Sequence, residues 1–150
     1  MTILGGYTVI GITGTRQGAS ADQLVRLEEQ LQALYDQGAR VFRHGGCIGV
    51  DGQAHHIARR LGYHIIGHPC DLLDMQDQEA LADCDTLLPA KAPLERNRDI
   101  VNAVGYLLVV PKERQEQKRS GTWATYRYAK QVGRRGMIIA PKEETLRGKQ

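Results

Sequence analysis

Cysteine is scarce in this chain and has no pattern: Cys47, Cys70 and Cys84 are the 3 in 150 residues. An odd count without regular spacing argues against a disulfide framework and for a reducing compartment. Spacings that would hold a metal are missing as well, so no metal and no cofactor is expected. No apolar run exceeds strand length and no signal peptide is evident, which predicts a cytoplasmic protein without membrane contact. An excess of one charge is also lacking, and a net charge of +3 does not by itself imply nucleic acid. Neither internal repeats nor low-complexity segments divide the chain. Residues 1–150 therefore read as one domain with a real core, and 142–150 as a frayed tail. Two phosphate signatures are missing: the dinucleotide fingerprint G-x-G-x-x-G and the Gly-Lys-Ser/Thr of a P-loop.

What is present is an alternation of strand and helix signals. Short β-branched or apolar runs predict strands over 7–13, 40–44, 63–68, 106–110 and 137–140. Leu24, Leu27, Leu31 and Leu34 form one apolar helical face over 20–37, with Ser20 as cap and Gly38 as stop. Further helices are predicted over 50–61, from Pro93 to about 104, and from Ser120 to about 132. Residues 69–92 are the least regular, a short helix with loops. This alternation implies an α/β fold: a Rossmann-like, doubly wound parallel sheet of about five strands in the order 3-2-1-4-5, with helices on both faces. Ligands in such sheets bind beyond the strand carboxyl ends, where the first and fourth strands flank the switch point.

Glycine-rich turns stand where strands should end and helices begin. Gly14-Thr15-Arg16 follows the first strand; its amides and the Thr15 hydroxyl suit a phosphate, and Arg16 can grip one. Gly45-Gly46-Cys47 leads to Asp51, which is either a helix cap or an acceptor for ribose or base. Cys47 reads as a packed thiol, and His55 as a packing or capping residue. Arg96-Asn97 lies in a helix, either solvated and ion-paired or directed at the strand edge, with Arg96 on phosphate and Asn97 on base or loop. Ser120-Gly121-Thr122 opens another helix, offering hydroxyls and free amides at its positive end. Trp123 has two readings, base stacking and packing, and packing is favoured. The stretch 112–135 is rich in Lys and Arg, either a solvated face or a nucleic-acid surface.

In this order, GTRxG, GVDGQAH, RNRDIV and RSGTWATYRYAKQVGR resemble the DNA-processing protein A (DprA) family, and more broadly the SLOG superfamily of Rossmann-like nucleotide-binding domains. The similarity runs from about Tyr7 to Pro141. It implies a ligand site lined by Gly14, Arg16, Gly45, Gly46, Asp51, Arg96, Asn97, Ser120, Gly121 and Thr122, for single-stranded DNA or a nucleotide. Homo-oligomers are common in the family. The chain has no room for that family's accessory helical domains, and it reads His44-Gly45-Gly46-Cys47 where a serine-glycine start is usual. The superfamily's lonely-guy-type phosphoribohydrolases carry PGGxGTxxE, whose glutamate acts at the sugar. Here Thr125 occupies that position, which lowers the enzyme reading, since a hydroxyl cannot stabilise oxocarbenium charge as a carboxylate does. The leading expectation is a binding module for a nucleotide or related phosphorylated small molecule. Single-stranded DNA binding and N-glycosidic hydrolysis of a nucleoside monophosphate are the alternatives.

Overall fold

A computed structural model describes residues 7–142. Its first strand, β1 (Val9–Gly14), is followed by helix α1 (Ala21–Asp36). Ser20 caps α1 through a reciprocal capping box with Gln23, and Leu27, Leu31 and Leu34 bury its inner face. Strand β2 (Val41–His44), helix α2 (Val50–Leu61) and strand β3 (His64–Gly67) complete two right-handed units on one side of β1. After a 3₁₀ turn at Leu73–Met75 come α3 (Gln78–Ala82) and β4 (Thr86–Leu87). The chain then crosses to the other side of β1 through α4 (Pro93–Ala103) into β5 (Tyr106–Val110), α5 (Gly121–Gln131) and β6 (Arg135–Ile138).

All strand pairs are parallel, and the order is β4-β3-β2-β1-β5-β6. The fold class is the expected one, and the five expected strands keep their relative order. Two details differ. A sixth strand, β4, adds two residues at the edge beside β3; so short a piece has no periodicity to read, and its pairing with Ile66 and Gly67 is what makes it a strand. The last strand begins two residues earlier than the apolar run suggested, because Gly133 at φ 74° and a bond from Arg134 N to Ala129 O turn the chain into the sheet directly. The tail expected to fray lies, beyond Lys142, outside the described residues.

Two apolar clusters sandwich the sheet. One packs α1 and α2 on Ile10, Ile12, Phe42 and Ile65; the other packs α4 and α5 on Leu107 and Val109. Burial of Ile10, Ile12, Leu107 and Leu108 to 1% exposure or less explains why β1 and β5 read as continuous apolar runs. Among the described residues no helix is long and apolar enough to cross a membrane.

Candidate functional site

Winding reverses between β1 and β5, and the loops leaving their carboxyl ends diverge there. They frame a cleft of about 590 Å³. From the loop after β1 Gly14, Thr15 and Arg16 line it, and from a second loop, after β2, and the first turn of α2 come Gly45, Cys47 and Asp51. Helix α4 contributes Arg96 and Asn97, and the start of α5 contributes Ser120, Gly121 and Thr122. The tertiary structure thus gathers the sequence's candidates at one place, except Gly46, which turns away under Leu81.

The first loop is held by its own backbone. Thr15 N donates to Val110 O at 3.1 Å, and Thr15 O accepts from Val50 N at 3.1 Å and Gly18 N at 3.2 Å. Gly14 lies so close to Val50 that a Cβ would collide with its side chain. Gly49, at φ 93°, faces the Thr15 and Arg16 carbonyl region, where no side chain fits. Gly49 opens the GVDGQAH motif but was not among the expected site residues, yet it is where the two loops touch. The Thr15 hydroxyl accepts from Gln17 N at 3.1 Å, and Arg16 is exposed, with no acidic partner among the described residues.

The second loop departs from expectation. Gly45 and Gly46 were expected to line the ligand site, but the amides of this loop are already bonded inside the protein. Gly45 N and Cys47 N both donate to Asp51 Oδ2 at 3.1 Å, and Gly46 N donates to His44 Nδ1 at 2.9 Å. Asp51 therefore organises the loop that precedes it. Burial pushes its carboxyl above the usual range, while Arg96 and the two amides pull it back.

Arg96 is likewise a bracket rather than a free cation. It is 5% exposed, and donates from one terminal nitrogen to Gly45 O at 2.6 Å and His68 O at 3.0 Å, from the other to Cys47 Sγ at 3.5 Å, and from Nε to Asn97 Oδ1 at 2.8 Å. The solvated, ion-paired reading of this stretch fits Asp99, which pairs with Lys91 at 2.7 Å, but not Arg96. Cys47 is a packed thiol, 7% exposed, and burial, with Asp51 nearby, raises it to about 11.

Behind the loop runs a buried chain of imidazoles. Gly46 N–H donates to His44 Nδ1, so the His44 proton sits on Nε2, which meets His55 Nδ1 at 2.9 Å. His55 Nε2–H then reaches the Asp83 carboxylate at 2.8 Å. Cys84 Sγ stands 3.8 Å from His44 Nε2, and the donor atoms of His44, His55 and Cys84 lie within 4.8 Å of one another. This trio has metal-ligand chemistry, but the Gly46 bond places a proton on the nitrogen that would have to ligate. It therefore acts as a neutral hydrogen-bond relay. Burial, with the Arg96 guanidinium nearby, lowers His44 to about 3.

Unused donors concentrate at α5. Ser120 Oγ accepts from Trp123 N at 3.2 Å, which leaves Gly121 N and Thr122 N without acceptors among the described residues. Arg119 and Lys112, both exposed, line the cleft together with Arg16, and no acidic group pairs with them among the described residues. Arg119, the residue before the cap, is a site candidate that sequence reasoning placed only in a basic stretch. Trp123 is 3% exposed, packs edge-on to Tyr126 and donates Nε1–H to Glu113 at 3.0 Å; it offers no face to a base. The Thr125 hydroxyl donates to Gly121 O at 2.8 Å from a buried position.

No protein-family model matches the chain, and no curated protein matches it. Solved structures do. The molybdenum cofactor binding protein from the phototrophic bacterium Rippkaea orientalis superposes with a TM-score of 0.66 at 18% identity, over 91% of this chain and 78% of that one. DNA processing protein A from Streptococcus pneumoniae does so at 0.70 and 21% identity, over 93% of this chain and 52% of that one, so this chain spans about half of it. The molybdenum cofactor carrier protein from Chlamydomonas reinhardtii gives 0.63 and 21%, over 88% and 77%. The chain shares their Rossmann-like fold. The resemblance to DprA read from the four motifs is thus borne out as a likeness of fold.

Proposed function

We propose that this chain binds a phosphorylated small ligand of nucleotide class in the cleft between the β1 and β5 loops. The supporting observation is the unpaired pair of amides at Gly121 and Thr122, opening a helix into a cleft shared with Arg16, Lys112 and Arg119. Helix partial charge, free N–H groups and uncompensated cations in one cleft suit a phosphate. Arg96 and Asp51 hold the opposite wall in shape, leaving the Asn97 amide nitrogen and the second Asp51 oxygen to meet ribose or base.

Binding fits the cleft better than cleavage does. Of the carboxylates there, Asp51 holds two amides and Glu113 holds the Trp123 indole, while Thr125 is turned back onto its own helix. Single-stranded DNA fits less well, because Trp123 is buried and Arg127 is engaged by Glu116 at 2.8 Å. The neighbours named for the molybdenum cofactor share the fold over most of their length, which brings that cofactor into the same screen.

The test is calorimetric titration with inorganic phosphate, AMP, GMP and the molybdenum cofactor. At least one organic ligand should bind, and phosphate should compete with it. Arg16→Ala and Arg119→Ala should each weaken binding by about tenfold, near 1.4 kcal/mol. Unchanged affinity in the double variant, or affinity only for oligonucleotides, would remove the proposal.

A further inference from the structure

The outer edge of the sheet on the α5 side has features that the cleft does not explain. Every residue of β6 is exposed, and no described strand pairs with its outer side. Ile139 N donates inward to Val109 O at 2.8 Å. With the period of two along a strand, Met137 also bonds inward, and Gly136 and Ile138 direct their N–H and C=O groups outward. An extended chain could complete these bonds.

Beside this edge a groove of about 320 Å³ runs between α5 and β6. Leu107 and Val109 form its floor, and Tyr126 and Ala129 its wall. Glycine at position 136 lets β6 lie close against β5 here; a Cβ there would collide with the Leu107 carbonyl oxygen. Met137 and Ile138 add 38% and 37% exposed apolar side chains. The rim is cationic: Lys130, Arg134 and Arg135. No acidic group pairs with any of the three among the described residues, and the buried Arg134 Nε has no hydrogen-bond partner.

These features select the occupant. Open backbone groups call for an extended segment, the apolar groove for hydrophobic side chains at alternate positions, and the three cations for acidic ones between or beside them. A second copy of this chain is disfavoured, since two-fold pairing through so short a strand would bring the same cations of both copies together. We propose that the β6 edge and the α5–β6 groove form a docking site for an extended, acidic and apolar segment of a partner protein, added to the sheet as a further strand.

The probe is a labelled peptide alternating glutamate and valine, compared with its lysine counterpart, read by fluorescence anisotropy and by amide chemical shifts of the intact protein. The glutamate peptide should bind and shift the Gly136 and Ile138 amides, and the lysine peptide should not bind. Ile138→Pro removes only an outward donor and should weaken binding at least ~10-fold. The Lys130→Glu, Arg135→Glu double variant tests the charge without touching the backbone; it should lose the glutamate peptide and gain the lysine one. Equal binding of both peptides, or no binding of the glutamate peptide, would overturn the proposal. So would a dimer in sedimentation that Ile138→Pro dissolves, which would assign the edge to a second copy.

Discussion

Acidifying the protein should unfold it through His44. The unfolded chain takes up a proton on this imidazole near pH 6.5, whereas the folded chain resists until about 3. Between those values the unfolded state binds more protons, so stability falls as pH falls; above 6.5 neither state is protonated and the effect vanishes. One pKa unit corresponds to about 1.4 kcal/mol, so His44 should remove about 2 kcal/mol by pH 5 and about 3 kcal/mol by pH 4. Such losses are a large part of a typical domain's stability. His68, lowered to about 4 by burial and by Arg43, adds in the same direction. Asp51 works oppositely, because its raised carboxyl favours folding as it takes up a proton. Asp83, held low by His55 and Arg59, loses its contribution only as pH falls through the carboxylate range. Comparison with a His44→Gln variant separates these effects: glutamine can accept from Gly46 and donate toward His55 without titrating. Urea midpoints at pH 7, 5 and 4 are the assay. With a slope of about 1–3 kcal/mol per molar, the parent should lose on the order of 1 M by pH 5. His44→Gln should be less stable at pH 7 but flatter with pH. If both proteins lost stability equally from pH 6.5 to 4, the neutral relay would be refuted.

Arg96→Ala should destabilise the fold by about 3 kcal/mol, since it leaves two carbonyls and buried Asp51 without their cation; a urea midpoint equal to the parent's would show that Arg96 does not bracket the loop. Trp123→Phe should cost about 1 kcal/mol through the lost bond to Glu113 while leaving nucleotide affinity within about threefold; a loss above tenfold with unchanged stability would return the indole to the ligand site.

The candidate site was partly legible because its markers are local. The serine cap at 120 records backbone geometry within one turn, and glycine at 14 marks the end of β1, although the close approach of Val50 is what requires it; both line the cleft. The roles were less legible. Arg96 looked like a phosphate ligand because it is a cation near glycines, but its partners, Gly45 and His68, lie 51 and 28 residues away. The fate of the Gly45 and Gly46 amides was hidden for another reason, since their acceptors Asp51 and His44 are only 6 and 2 residues away. A glycine-rich loop looks alike whether its amides face a ligand or, as here, a neighbouring Asp51 and His44.

By itself the sequence determined the alternation of helix and strand, the caps at Ser20 and Ser120, and the buried runs of β1 and β5, because these depend on neighbours within a turn or along one strand. Only the tertiary structure decided that Thr86 and Leu87 form a strand, that His44, His55 and Asp83 share protons in line, and that Arg16 and Arg119 line one cleft with the free amides of α5. Each of these depends on long-range contact: a polar group's role is set by which partner the folded chain brings within about 3 Å, and spacing along the sequence does not encode that distance.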